Sequence, residues 1–367
     1  MRNFAFIIHP IDPKRDVSRK FPLLGKVLSE RWIHFFSTYF PPVYISKIEG
    51  IRSTHTGEEI GGWFVACPYT PQRMLDLPVK TVYGKVVQTG KMAQKLGANL
   101  LGLGAFTSVV GDGGITIRKG LQIPVTTGDS YTVSVGVDAA IAGAVQLGKK
   151  TSQTVGAVVG ATGAIGSVSA RLLARKVASL WLFGKREQPL LELKTIIEKE
   201  TPTAQVHIAT DLQSLSHCDI VITVTNAIEA VIEPHHLKRG AVVCDVARPR
   251  DVSTAVAKQR PDVLVIDGGM VKIPGDVNFN FNFGFPPTMA YACMAETIAL
   301  TLENRLEDFT LGKEISLAKV EEISRIAEKH GLQLGGFRSF EKPVSYQHLQ
   351  HLREMLANVS VPVSVYQ

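Results

Sequence analysis

A doubly wound α/β domain, joined to an N-terminal mixed α/β domain and followed by C-terminal helices, is the fold that three observations predict. First, from Thr154 onward short runs of Val, Ile and Leu recur, as in "TVGAVVGA", "SLWLFGKR", "QVHIA", "CDIVITVTNA", "AVVCDVA" and "VLVIDGG". Helical stretches such as "GSVSARLLARK" and "PLLELKTIIEKE" separate them. Strands that are apolar throughout and alternate with helices indicate a parallel sheet covered on both faces. Second, the texture upstream is different: the strand-like runs "FAFIIHP", "VYISKIEGIRS" and "GGWFVACPYTP" come before any such alternation. Third, 367 residues with 45% hydrophobic content can supply two cores.

The remaining elements follow in order. "VKTVYGKVVQTGKMAQKLG" predicts a helix stopped by Gly97, and "NLLGLGAFTSVVGDGG" a strand entering a glycine-rich loop. "IPVTTGDSYTVSVGVDAAIAGAVQLGKK" predicts strand, turn and a small-residue helix that bridges two domains. After Gly269 come an Asn/Phe alternation and "PPTMAYACMAETIALTLEN", read as a helix opening at a Thr288 cap behind Pro286 and Pro287. "SLAKVEEISRIAEKHG" predicts a further helix ending at Gly331, and the polar tail from about Arg338 reads as loosely held. The expected organisation is an N-terminal domain over 1–135, the doubly wound domain over 136–285 and a C-terminal helical segment over 286–367. No repeat of solenoid length is present.

Composition narrows the function. The net charge of +7 is spread in pairs such as Lys149-Lys150 and Lys185-Arg186. A dispersed excess of this kind suits an anionic cofactor or an acidic partner and argues against a nucleic-acid role. The four cysteines, Cys67, Cys218, Cys244 and Cys293, show neither CxxC nor Cys/His ligand spacing. Hence no disulfide framework and no metal site is expected, and a reducing cytoplasm is the expected location. No stretch has the length and apolarity of a membrane span or of a secretion signal.

"AVVGATGAIGS" sets Gly160, Gly163 and Gly166 directly after a strand and at the opening of a helix. Glycines there allow a tight turn and close approach of a pyrophosphate, which the positive helix N-terminus attracts. With strand, turn, helix and next strand in succession, this is the signature of a dinucleotide-binding Rossmann domain. The second strand selects the cofactor. "WLFGKREQ" ends in Lys185 and Arg186 rather than in the acidic residue that bonds the ribose of NAD, which favours the 2′-phosphate of NADPH. Thr225 and Asn226, and Gly268 and Gly269, follow later strands, where nicotinamide and ribose contacts fall in such sheets.

Among the cysteines, Cys67, Cys218 and Cys244 lie in or beside strand-like runs and read as buried packing residues. Cys293 lies within the first two turns of the predicted helix, where the dipole favours a thiolate but only weakly at such a depth. Helical spacing puts Met289, Cys293, Glu296, Thr297 and Leu300 on one face. Glu296 would raise a neighbouring thiol pKa; its openings are to orient a partner or to donate a proton. From these residues alone, Cys293 reads equally as packing and as nucleophile.

The segments "GATGAIGSVSARLL", "TTGDSYT", "LGAFTSVV" and "AYACMAETIALTLE", in this order and at these intervals, resemble the cyanobacterial long-chain acyl-(acyl-carrier-protein) reductases. "FPPVYISKIEGIRSTHTGEEIGGWFVACPYTPQRML" and "EKHG" extend the likeness over roughly residues 35 to 335. The resemblance implies an N-terminal substrate domain, a Rossmann domain for NADPH and a C-terminal helical part that closes back. It implies reduction of a fatty acyl thioester, on acyl-carrier protein or CoA, to a fatty aldehyde through an acyl-cysteine intermediate. The nucleophile of the "ACxAE" segment falls on Cys293, and the NADPH loop on Gly160, Thr162, Gly163, Ile165 and Gly166. An aldehyde-consuming enzyme is a further expected partner. "TTGDS" resembles the turn of shikimate dehydrogenases, the wider group, which makes Asp129 a candidate substrate contact.

Oxyanion donors expected on this reading are Ser130, Thr132 or amides of the "GAFTS" loop, Phe106 to Ser108. His330 is a candidate proton donor, or else a cation suited to a helix C-terminus. Phe279, Phe281, Phe283 and Phe285 line one face of an extended segment, read either as core packing or as walls for an acyl chain. "NFNFNFGFPP" and "DVARPRD" depart from that family's pattern. The competing readings are a shikimate-type NADP-dependent hydroxyl/ketone dehydrogenase in which Cys293 packs, and a non-catalytic NADP(H)-binding regulatory protein. A nucleophile preceding the Rossmann domain, as in glutamyl-tRNA reductase, would fall on Cys67.

Overall fold

The computed structural model describes residues 2–357. It divides into two compact units. The first takes in the chain up to Thr132 together with Val271–Gln333, and the second Val133–Met270 together with the chain from Leu334 on.

In the first unit, strands β1 (Asn3–Ile8), β2 (Val43–Arg52), β3 (Glu59–Ala66), β4 (Leu100–Gly102) and β5 (Val125–Thr126) form one sheet in the order β2-β3-β1-β4-β5. β2 runs antiparallel to β3, and the remaining pairs are parallel. The helix Val79–Lys95 turns Val82, Val86 and Ala93 onto this sheet, where they meet Ala5, Ile7 and Leu101. Gly97 stops the chain just beyond that helix with φ of 95°, as its sequence position suggests.

The helix Ala292–Leu302 also belongs to this unit and lies against β1 and β4. Ten of its eleven residues are buried. A helix apolar on every side needs cover all round, so it sits inside a domain rather than in a C-terminal appendage. The expected boundaries are corrected accordingly: Val271–Gln333, with the Asn/Phe run, returns to the first unit. Over 338–357 the tail is packed and not loosely held; its remainder lies outside the described residues. Arg338 is buried, and the helix Tyr346–Ala357 sets Leu349 and Leu352 into the core of the second unit.

The second unit is the predicted doubly wound domain. Strands β6 (Val155–Val159), β7 (Ser179–Phe183), β8 (Gln205–Ala209), β9 (Ile220–Thr223), β10 (Val242–Asp245) and β11 (Leu264–Ile266) pair in parallel, in the order β11-β10-β9-β6-β7-β8. The chain leaves β6 to one side for β7 and β8, then returns to the other for β9. That reversal leaves a crevice at the carboxyl ends of β6 and β9, where such sheets bind ligands. Two apolar layers cover the sheet: one holds Val158, Leu182, Ile222 and Leu264, the other Ala157, Phe183, Val221 and Val265.

One region had no element assigned from its pattern: Pro13–Lys20, Pro22–Val27 and Glu30–Ser37 are three short helices. Among the described residues no helix is long and apolar enough to cross a membrane.

Gly160 ends β6 with φ of 82°, and a Cβ there would lie 2.7 Å from the Val224 carbonyl oxygen. Gly160→Ala is therefore expected to destabilise the second unit by about 1–3 kcal/mol. Urea unfolding checks this, with Trp32 and Trp63 replaced by Phe so that Trp181 on β7 reports this unit alone.

Candidate active site and dinucleotide site

The cysteine helix starts later than its sequence suggests. Met289–Tyr291 is extended, with Tyr291 at the N-cap of Ala292–Leu302. Thr288 takes φ of 63° and its carbonyl accepts from the Ile273 amide at 2.8 Å, which holds the chain out of helix there. Cys293 is consequently the second helical residue, in the first turn, where amides without intrahelical acceptors and the positive end of the dipole act most strongly. Met289 lies outside the helix and shares no face with it. The expected weak position of Cys293 is corrected by this shift of about one turn.

The turn "TTGDS" meets the same helix end. Gly128 has φ of 79°, and a Cβ there would lie 2.4 Å from both Cα and Cβ of Cys293. Only glycine both adopts that backbone and leaves room for the cysteine. Asp129 follows immediately and opens the helix Asp129–Gln146.

One turn beyond Cys293, Glu296 is fully buried. Its Oε1 accepts from Thr126 Oγ1 at 2.5 Å and lies 2.9 Å from Thr310 Oγ1, while Oε2 accepts from the Tyr131 amide at 2.8 Å. Thr310 Oγ1 also lies 2.8 Å from Ser130 Oγ. Glu296 thus ties the cysteine helix to β5, to the turn holding Gly128 and Asp129, and to the Thr310 loop. Thr126 opens the "TTGDS" segment but was not singled out, and Thr310, isolated in "EDFTLGKE", gave no signal in the sequence.

The electrostatics follow from burial. The Asp129 carboxyl is pushed up to about 7, first by desolvation and then by the Glu296 charge, against a hydrogen bond from Thr127. Glu296 is raised by burial, its hydrogen bonds pulling the other way. Cys293 is pushed up to about 12 by burial and by the charges of Asp129 and Glu296. The amides of Met294 and of Cys293 itself lower it. The resting state is therefore a neutral thiol beside a carboxyl that titrates near neutrality.

Other candidates have different work. The Phe106 amide donates to His9 Nε2 at 3.0 Å, the Thr107 and Ser108 amides to Gly104 and Ala105 carbonyls, and Ser108 Oγ to the Ala105 carbonyl. The "GAFTS" loop therefore satisfies itself, which corrects its expected role as oxyanion donor. Thr132 Oγ1 is likewise given to the Gly128 carbonyl at 2.8 Å. His330 Nδ1 lies 2.7 Å from Ser53 Oγ, and Nε2 lies 2.6 Å from Glu303 Oε2. Glu303 follows the last turn of the cysteine helix, about 15 Å from Cys293 at 1.5 Å per residue. His330 thus braces the far end of that helix and is not placed as a proton donor. The Ser53–His330–Glu303 chain is no hydrolytic triad either, since Ser53 is buried and its Oγ accepts the His55 and Thr56 amides.

Cys67, Cys218 and Cys244 are buried, with thiols pushed up to about 11, 12 and 12 by desolvation. Among the described residues no three His, Cys, Asp or Glu side chains gather as a metal requires. The Phe residues form a row. Phe64 of β3 packs on Phe279 and Phe283, Phe283 stacks on Phe285 at 5.4 Å, and Phe285 meets Tyr291 at 4.2 Å. It ends two residues before Cys293.

In the second unit the glycine loop has the geometry a pyrophosphate needs. Gly160 faces the Val224 carbonyl, and a Cβ on Gly166 would lie 2.2 Å from the Gly160 carbonyl oxygen. The helix Ala164–Ala174 opens after Gly163, with Thr162 and Gly163 exposed and Ile165 half-buried. Lys185 and Arg186 are exposed beyond β7, where Gly184 comes within contact of Thr162. Thr225 gives its amide and hydroxyl to Asp251, at 2.8 and 2.5 Å, so this side chain shapes the loop and is not free for a cofactor. Asn226 follows it, at the carboxyl end of β9. Gly268 takes φ of 64°, and Gly269 packs on Val135, where a Cβ would lie 1.9 Å from Cγ1.

The fold and the glycine loop define the class: the second unit is a Rossmann domain, the fold of NAD(P)-dependent oxidoreductases. Residues 144–267 match the shikimate/quinate 5-dehydrogenase family model. The chain is 32% identical over 305 residues to the aminotransferase PigE of a Serratia species, covering 81% of this chain and 35% of that protein. It therefore spans about a third of that relative's length. It is 27% identical over 347 residues to the long-chain acyl-[acyl-carrier-protein] reductase of Synechococcus elongatus, covering 90% of this chain and 98% of that protein. An L-tryptophan dehydrogenase structure from Nostoc punctiforme covers 98% of this chain and is itself covered over 88%, with a TM-score of 0.42 at 15% identity.

Asp129 holds its proton more tightly folded than unfolded, where its pKa is about 3.9. Its contribution to stability is therefore complete at low pH and is lost as pH rises through about 7. Asp129→Asn is expected to raise the unfolding midpoint by an amount that grows between pH 4 and 7 and is constant above. The same substitution removes a charge that raises the Cys293 pKa, so alkylation by iodoacetamide at pH 9 should be several-fold faster than in the wild type. An unchanged rate would show that Asp129 does not act on this thiol.

Proposed function

We propose that the protein reduces a long-chain fatty acyl thioester, carried on acyl-carrier protein or CoA, to a fatty aldehyde with NADPH, through an acyl-cysteine at Cys293. The observation that carries this reading is the placement of Cys293: second residue of a buried helix, cleared by Gly128, beside the Asp129 carboxyl. The likeness to the Synechococcus acyl reductase over nearly both lengths supports it.

The residues divide the work as follows. Asp129 takes the Cys293 proton, and the thiolate attacks the thioester carbonyl carbon. The carrier leaves as its thiol, taking that proton back from Asp129, and the acyl group stays on Sγ. The thiol lies well above the carboxyl, so the transfer is uphill, but a proton on Asp129 removes one of the two charges that raise the thiol. Negative charge on the carbonyl oxygen is met by first-turn amides of the cysteine helix, including Met294, in place of the "GAFTS" amides. Glu296 keeps helix and turn in register.

The loop Gly160–Gly166, with Lys185 and Arg186 on the 2′-phosphate, would hold NADPH, which supplies the hydride. The residues fit that group: glycines bare the backbone at a helix N-terminus, and two cations stand where a ribose-binding carboxylate would exclude a phosphate. The aromatic row from Phe64 to Tyr291 offers the acyl chain an apolar wall that ends two residues before Cys293.

Incubating the protein with palmitoyl-CoA without NADPH is expected to add one acyl mass, absent in Cys293→Ser, and NADPH should then release hexadecanal. An unmodified wild type that also fails to oxidise NADPH would reject the reading, and NADPH oxidation with a hydroxyl or ketone substrate alone would favour a shikimate-type dehydrogenase. Lys185→Ala/Arg186→Ala is expected to raise the KM for NADPH at least tenfold while changing that for NADH about twofold or less, read by initial rates.

A further inference from the structure

Two of the short helices ahead of β2, Pro22–Val27 and Glu30–Ser37, are amphipathic the wrong way round for packing. On Glu30–Ser37 and the turn that follows, Trp32, Phe35, Phe36, Tyr39 and Phe40 recur at the spacing of one helix face, and all are exposed. Ile33 and Ser37 on the opposite face are the buried ones. The exposed rings are already packed on one another, with Trp32 stacked on Phe36 at 5.6 Å and Phe35 meeting Tyr39 at 5.7 Å. On Pro22–Val27, Leu23 and Val27, one turn apart, are 78% and 81% exposed. An aqueous surface gives no reason to gather so many large apolar side chains outward.

The charges beside them choose the occupant. Residues 12–40 hold six Lys and Arg against three Asp and Glu, and Lys14, Lys26 and Arg31 are exposed. Trp, Phe and Tyr rings with Leu and Val, flanked by cations on short helices, are the composition that settles in the interface of an anionic bilayer. The segment is also fastened to the rest of its unit: Arg19 donates to the Phe283 carbonyl at 3.2 Å, and Lys20 to the Ile45 carbonyl at 2.6 Å. Phe283 belongs to the aromatic row that leads to Tyr291.

We propose that Pro13–Phe40 is an interfacial membrane-docking element, which lays Trp32, Phe35, Phe36, Leu23 and Val27 into the surface of an anionic lipid bilayer without spanning it. Docking there sets the end of the aromatic row that bears Phe283 beside the element that meets lipid. This last point rests on the acyl-thioester reading; the docking itself does not.

The test is flotation of the full chain with vesicles of phosphatidylcholine and phosphatidylglycerol in equal parts, with no NADPH or thioester present. Binding is expected to fall at least tenfold on pure phosphatidylcholine, and at least tenfold on the anionic vesicles for W32A/F35A/F36A. Leu23→Ser/Val27→Ser should weaken it separately, with circular dichroism confirming that each variant is folded. Brominated lipid should quench Trp32 fluorescence in the bound protein. Wild-type protein that stays with the soluble fraction, equal binding by the variants, or equal binding to neutral vesicles would overturn the proposal. So would a wild-type dimer that W32A/F35A/F36A converts to monomer, since the face would then cover a second copy. Acyl transfer to Cys293 from soluble palmitoyl-CoA is expected to persist in W32A/F35A/F36A, so that a failure of docking and a failure of the activity are read separately.

Discussion

The buried carboxylate of Glu296 is the constraint on which the first unit's site depends. A charged or even a polar group without water around it must find partners inside the protein. Glu296 finds them on three separate pieces of chain: Thr126 on β5, Tyr131 at the start of the next helix, and Thr310 in the loop beyond the cysteine helix. Thr126 and Tyr131 stand close together in the chain, and the Thr310 loop, far from them in sequence, also bonds them directly, Thr310 N–H to Thr126 Oγ1 at 3.2 Å and Thr310 Oγ1 to Ser130 Oγ at 2.8 Å. Satisfying one carboxylate sets them in a single arrangement, and Cys293, less than a turn before Glu296, is placed along with them.

The same burial explains why Cys293 rests as a thiol. Near the first-turn amides of a helix a cysteine gains from the dipole, an effect of about 0.3–1 kcal/mol at an exposed site. Desolvation and two neighbouring carboxyls outweigh it, and the net direction is upward. A resting thiol is protected from oxidation and stray alkylation. On the acyl-cysteine reading proposed above, reactivity depends on a local proton acceptor, and Asp129, itself raised to about 7, suits that task better than an ordinary exposed carboxylate.

Much of the second unit was legible in the sequence. Six apolar runs became six parallel strands, and "VGATGAIGS" became a glycine turn into a helix, because these features are local: strand apolarity and left-handed glycine torsions are written in consecutive residues. The cysteine segment was legible as chemistry but not in register. Pro286, Pro287 and Thr288 have the look of a helix start, yet Thr288 is held at positive φ by a strand pairing with residues near Ile273. His330, Phe106 and Ser108 were chosen for residue type and position, and their partners, Glu303, His9 and Ala105, show other duties. Pro13–Lys20 escaped the reading because it is polar apart from Pro13 and Val17, and Pro22–Val27 and Glu30–Ser37 because their apolar stripe faces outward, so its period carried no sign of burial.

By itself the sequence determined the parallel sheet, the dinucleotide loop and the standing of Cys293 as the one cysteine outside a strand-like run, since each depends on neighbours within a turn or a strand. Only the tertiary structure decided that the cysteine helix belongs with the N-terminal strands, that Gly128 and Asp129 meet the thiol, and that Thr126 and Thr310 hold Glu296. Those facts rest on contacts of Glu296 across 165 positions to Tyr131 and 170 to Thr126, on a loop that brings Thr310 back from 14 positions away, or on the close approach of two backbones. The requirement that enforces them, satisfying polar groups where no water reaches, has no local period to read.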